Sequence, residues 1–395
     1  MHGWAAIDGQ GVEGEILRLG KAMHKDKSLP DPTLADTQIS KAEANKDESV
    51  LQHPDLWFSD GSVVLKAENT LFRVHISQLA RRSLFFRDLF SLPQPAKDAV
   101  ELDGTFDGCP LLVLHDSAED LSNLLKALYD GGPVLGNNGQ EDFRVVSGVL
   151  RLSTKYVIDS LRSRLIEHLS VAWPSRLRDW DAREDMCRSY QSENGLPRGH
   201  LYPSPISVIN LAREVDAPSL LPAAFYELSK YHFSQIFEPT ADSPLHPDFA
   251  ESSISPTLSI RDTQLLALGK ECSQQTITAL ITSMGTEFYR DHTSNPHTHP
   301  NSVYAHQRKI SDRVCVSPAA CRKDMGELVD LATNHYLFDR EKGCSDPLYV
   351  AEELGSLKSS EFSECRACAK SLEGWATKER EKIWKLIPHW FRLNV

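Results

Sequence analysis

Hydrophobic and polar positions divide the chain into regions of different character. Between Lys21 and Glu48 charges crowd together, Pro30 and Pro32 interrupt, and apolar residues follow no period. Too little surface could be buried there to offset the entropy of ordering, so residues 1–52 are expected to form a flexible tail. From Trp57 the pattern changes. Ser62–Lys66 and Thr70–Val74 are β-rich runs separated by the polar Ala67-Glu68-Asn69, which predicts a hairpin. After His75 the spacing becomes helical: Ile76, Leu79 and Ala80 share one face, and Phe85/Leu89 and Phe86/Phe90 are each four apart, with Ser83 placed as an N-cap. Val100–Leu102 and Cys109–His115 read as extended segments.

A helix with a strong apolar stripe follows. Ser117 opens it, Leu121, Leu124, Leu125 and Leu128 recur at helical intervals, and Tyr129-Asp-Gly-Gly-Pro133 ends it. Phe143, Val146, Val149 and Leu150 predict another helix, and Leu161, Leu165 and Leu169 the next. Hairpin first and helices afterwards is the pattern of an α+β module at 53–171, a small sheet with clustered helices. Residues 172–204 are rich in charge, Pro and Gly and predict a linker or surface loop. Residues 205–395 read as a mostly α-helical C-terminal region. Its helices are expected at about Ile206–Val215, Leu220–Phe233, Asp262–Met284 with Asp262 as cap, Cys321–Tyr336 and Glu361–Leu386. Glu238–Ser259 reads as irregular, and Arg290–Gln307 as a polar loop carrying His292, His297, His299 and His306.

Composition narrows the function classes. A formal net charge of −12 over 395 residues argues against a general nucleic-acid binder, which needs clustered Lys and Arg. No run of 18 apolar residues occurs, so no membrane span is expected, and the start of the chain does not read as a secretory signal. Eight cysteines scattered through a chain of this size fit a reducing compartment, the cytoplasm or nucleus.

The ordered segments of the first half carry a resemblance. Trp57-Phe-Ser-Asp60-Gly-Ser-Val-Val-Leu, then Phe72-Arg-Val-His75-Ile-Ser-Gln-Leu79, then Ser83-Leu-Phe85-Phe86-Arg-Asp-Leu89-Phe90, resemble the BTB/POZ signature. Leu121–Leu128 with Tyr129-Asp-Gly looks like that family's third helix, and Val149–Tyr156 with Leu161–Leu169 is similar to its closing helix pair, in the form common among fungal members. Ile76 after the histidine, the loop Gly104–Pro110 and the insert Gly131–Glu141 depart from the better-known animal members. The resemblance implies a non-catalytic protein-interaction scaffold or adaptor with protein partners. It implies homodimerisation in many members, and an alternative role as substrate adaptor of a cullin-type ubiquitin ligase.

Candidate residues each have a plainer counterpart. His75 could act as a base, but the resemblance makes it structural, its ring packed where strand meets helix with one nitrogen bonded to backbone. For Asp60 the resemblance suggests part of a dimer pocket, and turn chemistry is the equal alternative. Phe72 and Leu79 belong to the fold signature. Phe85, Phe86 and Phe90 could line a peptide groove, although helical spacing beside a hairpin makes a hydrophobic core the expectation. Cys365-Arg-Ala-Cys368, with Cys315 and Cys321 upstream, could supply four thiolates to a structural zinc, and His335 or Cys344 could substitute. Buried free thiols are the expectation and zinc the alternative, so no cofactor is expected. The histidines of 292–306 read as a solvated loop. No phosphate loop, nucleophile elbow, zinc-protease or dinucleotide motif occurs, which supports a non-enzymatic reading.

Overall fold

In the computed structural model the described residues are 50–92, 104–131, 136, 138–195, 200–240, 243, 245, 257–293, 315, 317–338, 345–356 and 365–394. The expected tail and the run Val100–Leu102 therefore lie outside them, except that strand β1 begins at Leu51 (Leu51–Trp57). The predicted hairpin is β2 (Val63–Ala67) with β3 (Thr70–Val74), paired antiparallel from Val63↔Val74 to Ala67↔Thr70. Glu68, at φ 50°, makes the tight turn. β1 runs parallel to β3 along its outer edge. Pro54 lies within β1, where a missing amide donor is tolerated because the strand is at the edge.

Two short helices, α1 (Ile76–Arg82) and α2 (Leu84–Ser91), then cross over. Ser83 caps α2 as its position suggested: its Oγ accepts from the Phe86 amide at 3.1 Å and donates to the Tyr156 carbonyl at 2.5 Å. The chain returns through β4 (Thr105–Phe106) and β5 (Cys109–Leu114), joined at Asp107-Gly108 with both φ positive. β5 pairs parallel to β2, giving a five-stranded sheet in the order β1-β3-β2-β5-β4.

Pleating sends Val63, Leu65, Ala67, Phe72 and Val74 into the main core, while Val64, Leu71 and Cys109 face the other side under Trp57, Phe106 and Leu111. Against the main face pack α3 (Ala118–Tyr129), α4 (Gln140–Lys155) and α5 (Asp159–Ala172). The buried residues of α3 include the four leucines of the predicted stripe.

The segment 172–204 is not the linker or surface loop that its charge implied. It holds α6 (Leu177–Asn194), an 18-residue helix ended by Gly195 at φ 68°. Its inward stripe is Trp180, Arg183, Glu184 and Cys187. Two of those four positions are charged, so the apolar period that would have announced a helix is absent.

Beyond it come α7 (Pro205–Glu214), a 3₁₀ turn at Pro218–Leu220, α8 (Leu221–Ser229) and α9 (Phe233–Phe237). The longest helix among the described residues is α10 (Ile260–Thr293), followed by α11 (Pro318–Thr333), α12 (Pro347–Gly355) and α13 (Arg366–Trp390). α10 starts two residues before the expected Asp262. Ser259 accepts the Asp262 amide at 3.0 Å, and the Asp262 carboxylate turns to Arg213 at 2.8 Å. α10 also runs past Arg290, where a loop was expected. The architecture is thus a small sheet in the N-terminal part and a mostly helical C-terminal region, with one buried core extending from Leu56 to Leu393. Ser49–Val395 form a single unit. Among the described residues no helix is long and apolar enough to cross a membrane.

Candidate functional site

The signature residues of the first half occupy distinct environments. Phe72 and Leu79 are fully buried, as framework residues should be. His75 sits at the joint between β3 and α1, its ring against Phe58, which in turn stacks on Tyr129 at 4.8 Å. Its Nδ1 meets the Tyr129 hydroxyl at 2.9 Å, and its Nε2 meets Asp60 at 3.2 Å. The expected bond from a ring nitrogen to backbone is therefore replaced by these two side chains. It is instead the His75 backbone N–H that donates to the Tyr129 hydroxyl. Asp60 is 81% exposed, and its hydrogen bond with His75 holds its pKa below the usual carboxylate value. His75 thus ties a strand, a turn and the end of α3 together.

The three phenylalanines of α2 divide between core and surface. Phe86 is buried and stacks on Tyr156 at 4.8 Å, and Phe90 is partly buried. Phe85 is 41% exposed, so the core expectation holds for its neighbour and not for it. Leu84 (40%), Leu92 (60%) and Val157 (38%) are exposed with it. Leu92 follows the last residue of α2 as its C-cap, in an extended conformation. The Leu84 amide donates to the Val157 carbonyl at 3.3 Å, which joins the start of α2 to the corner between α4 and α5. Val157 stands at φ 53°, a left-handed conformation that β-branched residues rarely adopt.

The second constellation lies in the helical region. Cys315, Cys321, Cys365 and Cys368 come together, with every sulfur within 4.8 Å of every other. They originate from two stretches well separated in sequence. Cys315 precedes α11 and Cys321 lies in its first turns, while Cys365 is the N-cap residue of α13 and Cys368 sits one turn in. Three of the four are buried and Cys315 is partly so. The Cys365 and Cys368 sulfurs are 3.4 Å apart. Burial first, then its thiol neighbour Cys315, pushes the Cys321 pKa up to about 12, and burial raises that of Cys368 as well. The four residues lie close enough to hold a metal ion. Of the two substitutes named from sequence, Cys344 lies outside the described residues, as do His297, His299 and His306, and His335 is exposed and packs on Tyr336.

Two polar groupings were missed by the sequence reading, the first part-buried and the second buried. His168 meets Asp142 at 2.6 Å, and Asp142 also accepts from the Gly136 and Asn138 amides, which ties the segment before α4 to α5. In the larger grouping, Arg183 lies over the rings of Trp173, Trp180 and Tyr202 and pairs with Glu184 at 2.7 Å and Glu227 at 3.2 Å. Lys230 reaches Glu184, Glu227 and Asp346, and the Tyr226 hydroxyl donates to Asp346 at 2.5 Å. Burial alone would lower the Arg183 pKa. Glu227 leads the neighbours that more than reverse this, so the guanidinium stays charged. A helical stripe of mixed Trp, Arg and Glu in α6 was the available clue.

In the comparisons with known proteins, the chain matches no family model and no curated protein.

Proposed function

We propose that this chain is a non-catalytic protein-interaction adaptor of the BTB/POZ type, engaging its partner through residues 53–171. The order of elements supports the reading: a hairpin, a helix pair, a strand parallel to the first hairpin strand, one long helix, then a closing helix pair. That order follows the segments on which the BTB/POZ resemblance rests. The observation that carries the functional step is the exposed group of Leu84, Phe85 and Val157 where the start of α2 meets the corner between α4 and α5, with Leu92 exposed at the other end of α2. Large apolar side chains clustered on a rigid helix corner are the anchors from which protein interfaces draw most of their affinity. Val157 adds to this as a further apolar side chain left 38% exposed at the same corner.

The test uses the full chain. Light scattering at micromolar concentration and affinity capture with mass spectrometry should return a stoichiometric partner, either a second copy of the chain or a cullin scaffold. Phe85→Asp should weaken that association at least about tenfold, as expected for loss of a buried aromatic anchor. Leu92→Asp, which touches less of the core, should act in the same direction. A wild-type chain that is monomeric and captures nothing in stoichiometric amount overturns the reading.

A further inference from the structure

We propose that Cys315, Cys321, Cys365 and Cys368 form a structural tetrathiolate zinc site that fastens the start of α11 to the start of α13. Three observations independent of the interaction surface carry it.

The first is convergence. Four thiols from two parts of the chain meet with all sulfurs within 4.8 Å. A tetrahedron with Zn–S bonds of about 2.3 Å places its sulfurs about 3.8 Å apart. Cys365 and Cys368 are already 3.4 Å apart, too far for a disulfide bond of about 2.05 Å and near the spacing that coordination needs. Closing the set around an ion therefore asks for shifts of a fraction of an ångström to about one.

The second is the pair of helix ends. Cys365 and Cys368 occupy the N-cap and first turn of α13, and the Cys321 amide donates to the Ser317 carbonyl in the opening turn of α11. Both helices thus begin at the cluster and direct the positive ends of their dipoles towards it. Four thiolates around a divalent ion carry a net charge of −2, and two helix N-termini are the backbone arrangement that stabilises such charge.

The third is closure. Three of the four sulfurs belong to buried residues, and the protein supplies a full set of four soft ligands. A catalytic zinc keeps a position open to water, whereas a complete thiolate shell is the pattern of a site that only holds structure. The two helices both pack on α10, so coordination would fix their starts relative to one strut. The spacing Cys315-x₅-Cys321 is longer than in common zinc motifs because the opening residues of α11, Pro318–Ala320, lie between the two ligands.

The experiment is elemental analysis of the full chain, purified under reducing conditions after expression in zinc-supplemented medium. About one zinc per chain is expected. Replacement by cobalt should give the visible bands and the intense near-ultraviolet charge transfer of a tetrahedral thiolate complex. Cys315→Ser and Cys368→Ser should each weaken metal binding by about 10–100-fold or more. Cys187→Ser and Cys272→Ser, outside the cluster, should leave the content unchanged. Should the serine variants fail to fold, the wild-type stoichiometry and cobalt spectrum still decide. Well under one equivalent of zinc in the wild type after reconstitution, iron in its place, or mapping of these cysteines as disulfides overturns the proposal.

Discussion

Val157 shows what a single residue can reveal. Helix α4 ends in a Schellman arrangement: the Ile158 amide donates to the Ser153 carbonyl at 2.8 Å and the Val157 amide to that of Thr154 at 3.3 Å. The residue between them must be left-handed, the place glycine usually fills, and here it is a valine at φ 53°. Val157→Gly is therefore expected to raise the unfolding free energy by about 1 kcal/mol through release of strain, read by chemical denaturation. An unchanged or lower stability would count against strain at this corner. Residues of this kind were only half legible in the sequence. The caps Ser83 and Ser117 could be named because a hydroxyl before an apolar stripe has a specific local partner. The exposure of Phe85 could not, because two apolar stripes run along α2 and only the tertiary neighbours decide which one is covered.

At the scale of elements, legibility followed apolar period. β2 and β3 are short apolar, β-rich runs and α3, α4 and α5 each carry an apolar stripe, and each formed where that pattern predicts. β1 was missed because Leu56 is its single buried residue, and a strand with one anchor has no pattern to read. α6 was missed because charge fills half of its inward face. Helix α10 was found, but its contact with the chain's C-terminal segment was not. Gly269 lies against Phe391, and a Cβ there would stand 1.9 Å from the ring. Gly269→Ala should therefore cost about 1–3 kcal/mol from overpacking, measured as a lower thermal midpoint. A neutral result would mean that Phe391 can leave its place against Phe225 at no cost.

At the scale of the whole molecule, the sheet module and the helical region share one core, and the charged grouping around Arg183 lies where they meet. The Arg183 Nε donates to the Ala172 carbonyl at the end of α5, while its partners come from α6 and α8. Through Lys230 and Tyr226 the network reaches Asp346, which caps α12. Arg183→Met keeps bulk but takes the guanidinium from Glu184 and Glu227, leaving Lys230 to serve these two and Asp346, three buried carboxylates on one ammonium. It should lower the unfolding free energy by about 3–5 kcal/mol in denaturant titration. A loss below about 1 kcal/mol would mean that water reaches those carboxylates and the site is not dry.

Arg380 of α13 meets Asp181 of α6 at 2.5 Å across 199 residues of chain, and the Trp384 indole donates to the Ser175 carbonyl at 2.9 Å across 209. Closing so distant a pair costs chain entropy that no nearby contact offsets in advance, and long-range closure of this kind slows folding. The sheet and its local helices can assemble from neighbours, whereas the flank of α6 stays wet until α13 reaches it. A chain cut before Cys365 would keep that flank exposed, because Arg380 and Trp384, which cover it, would be lost with α13.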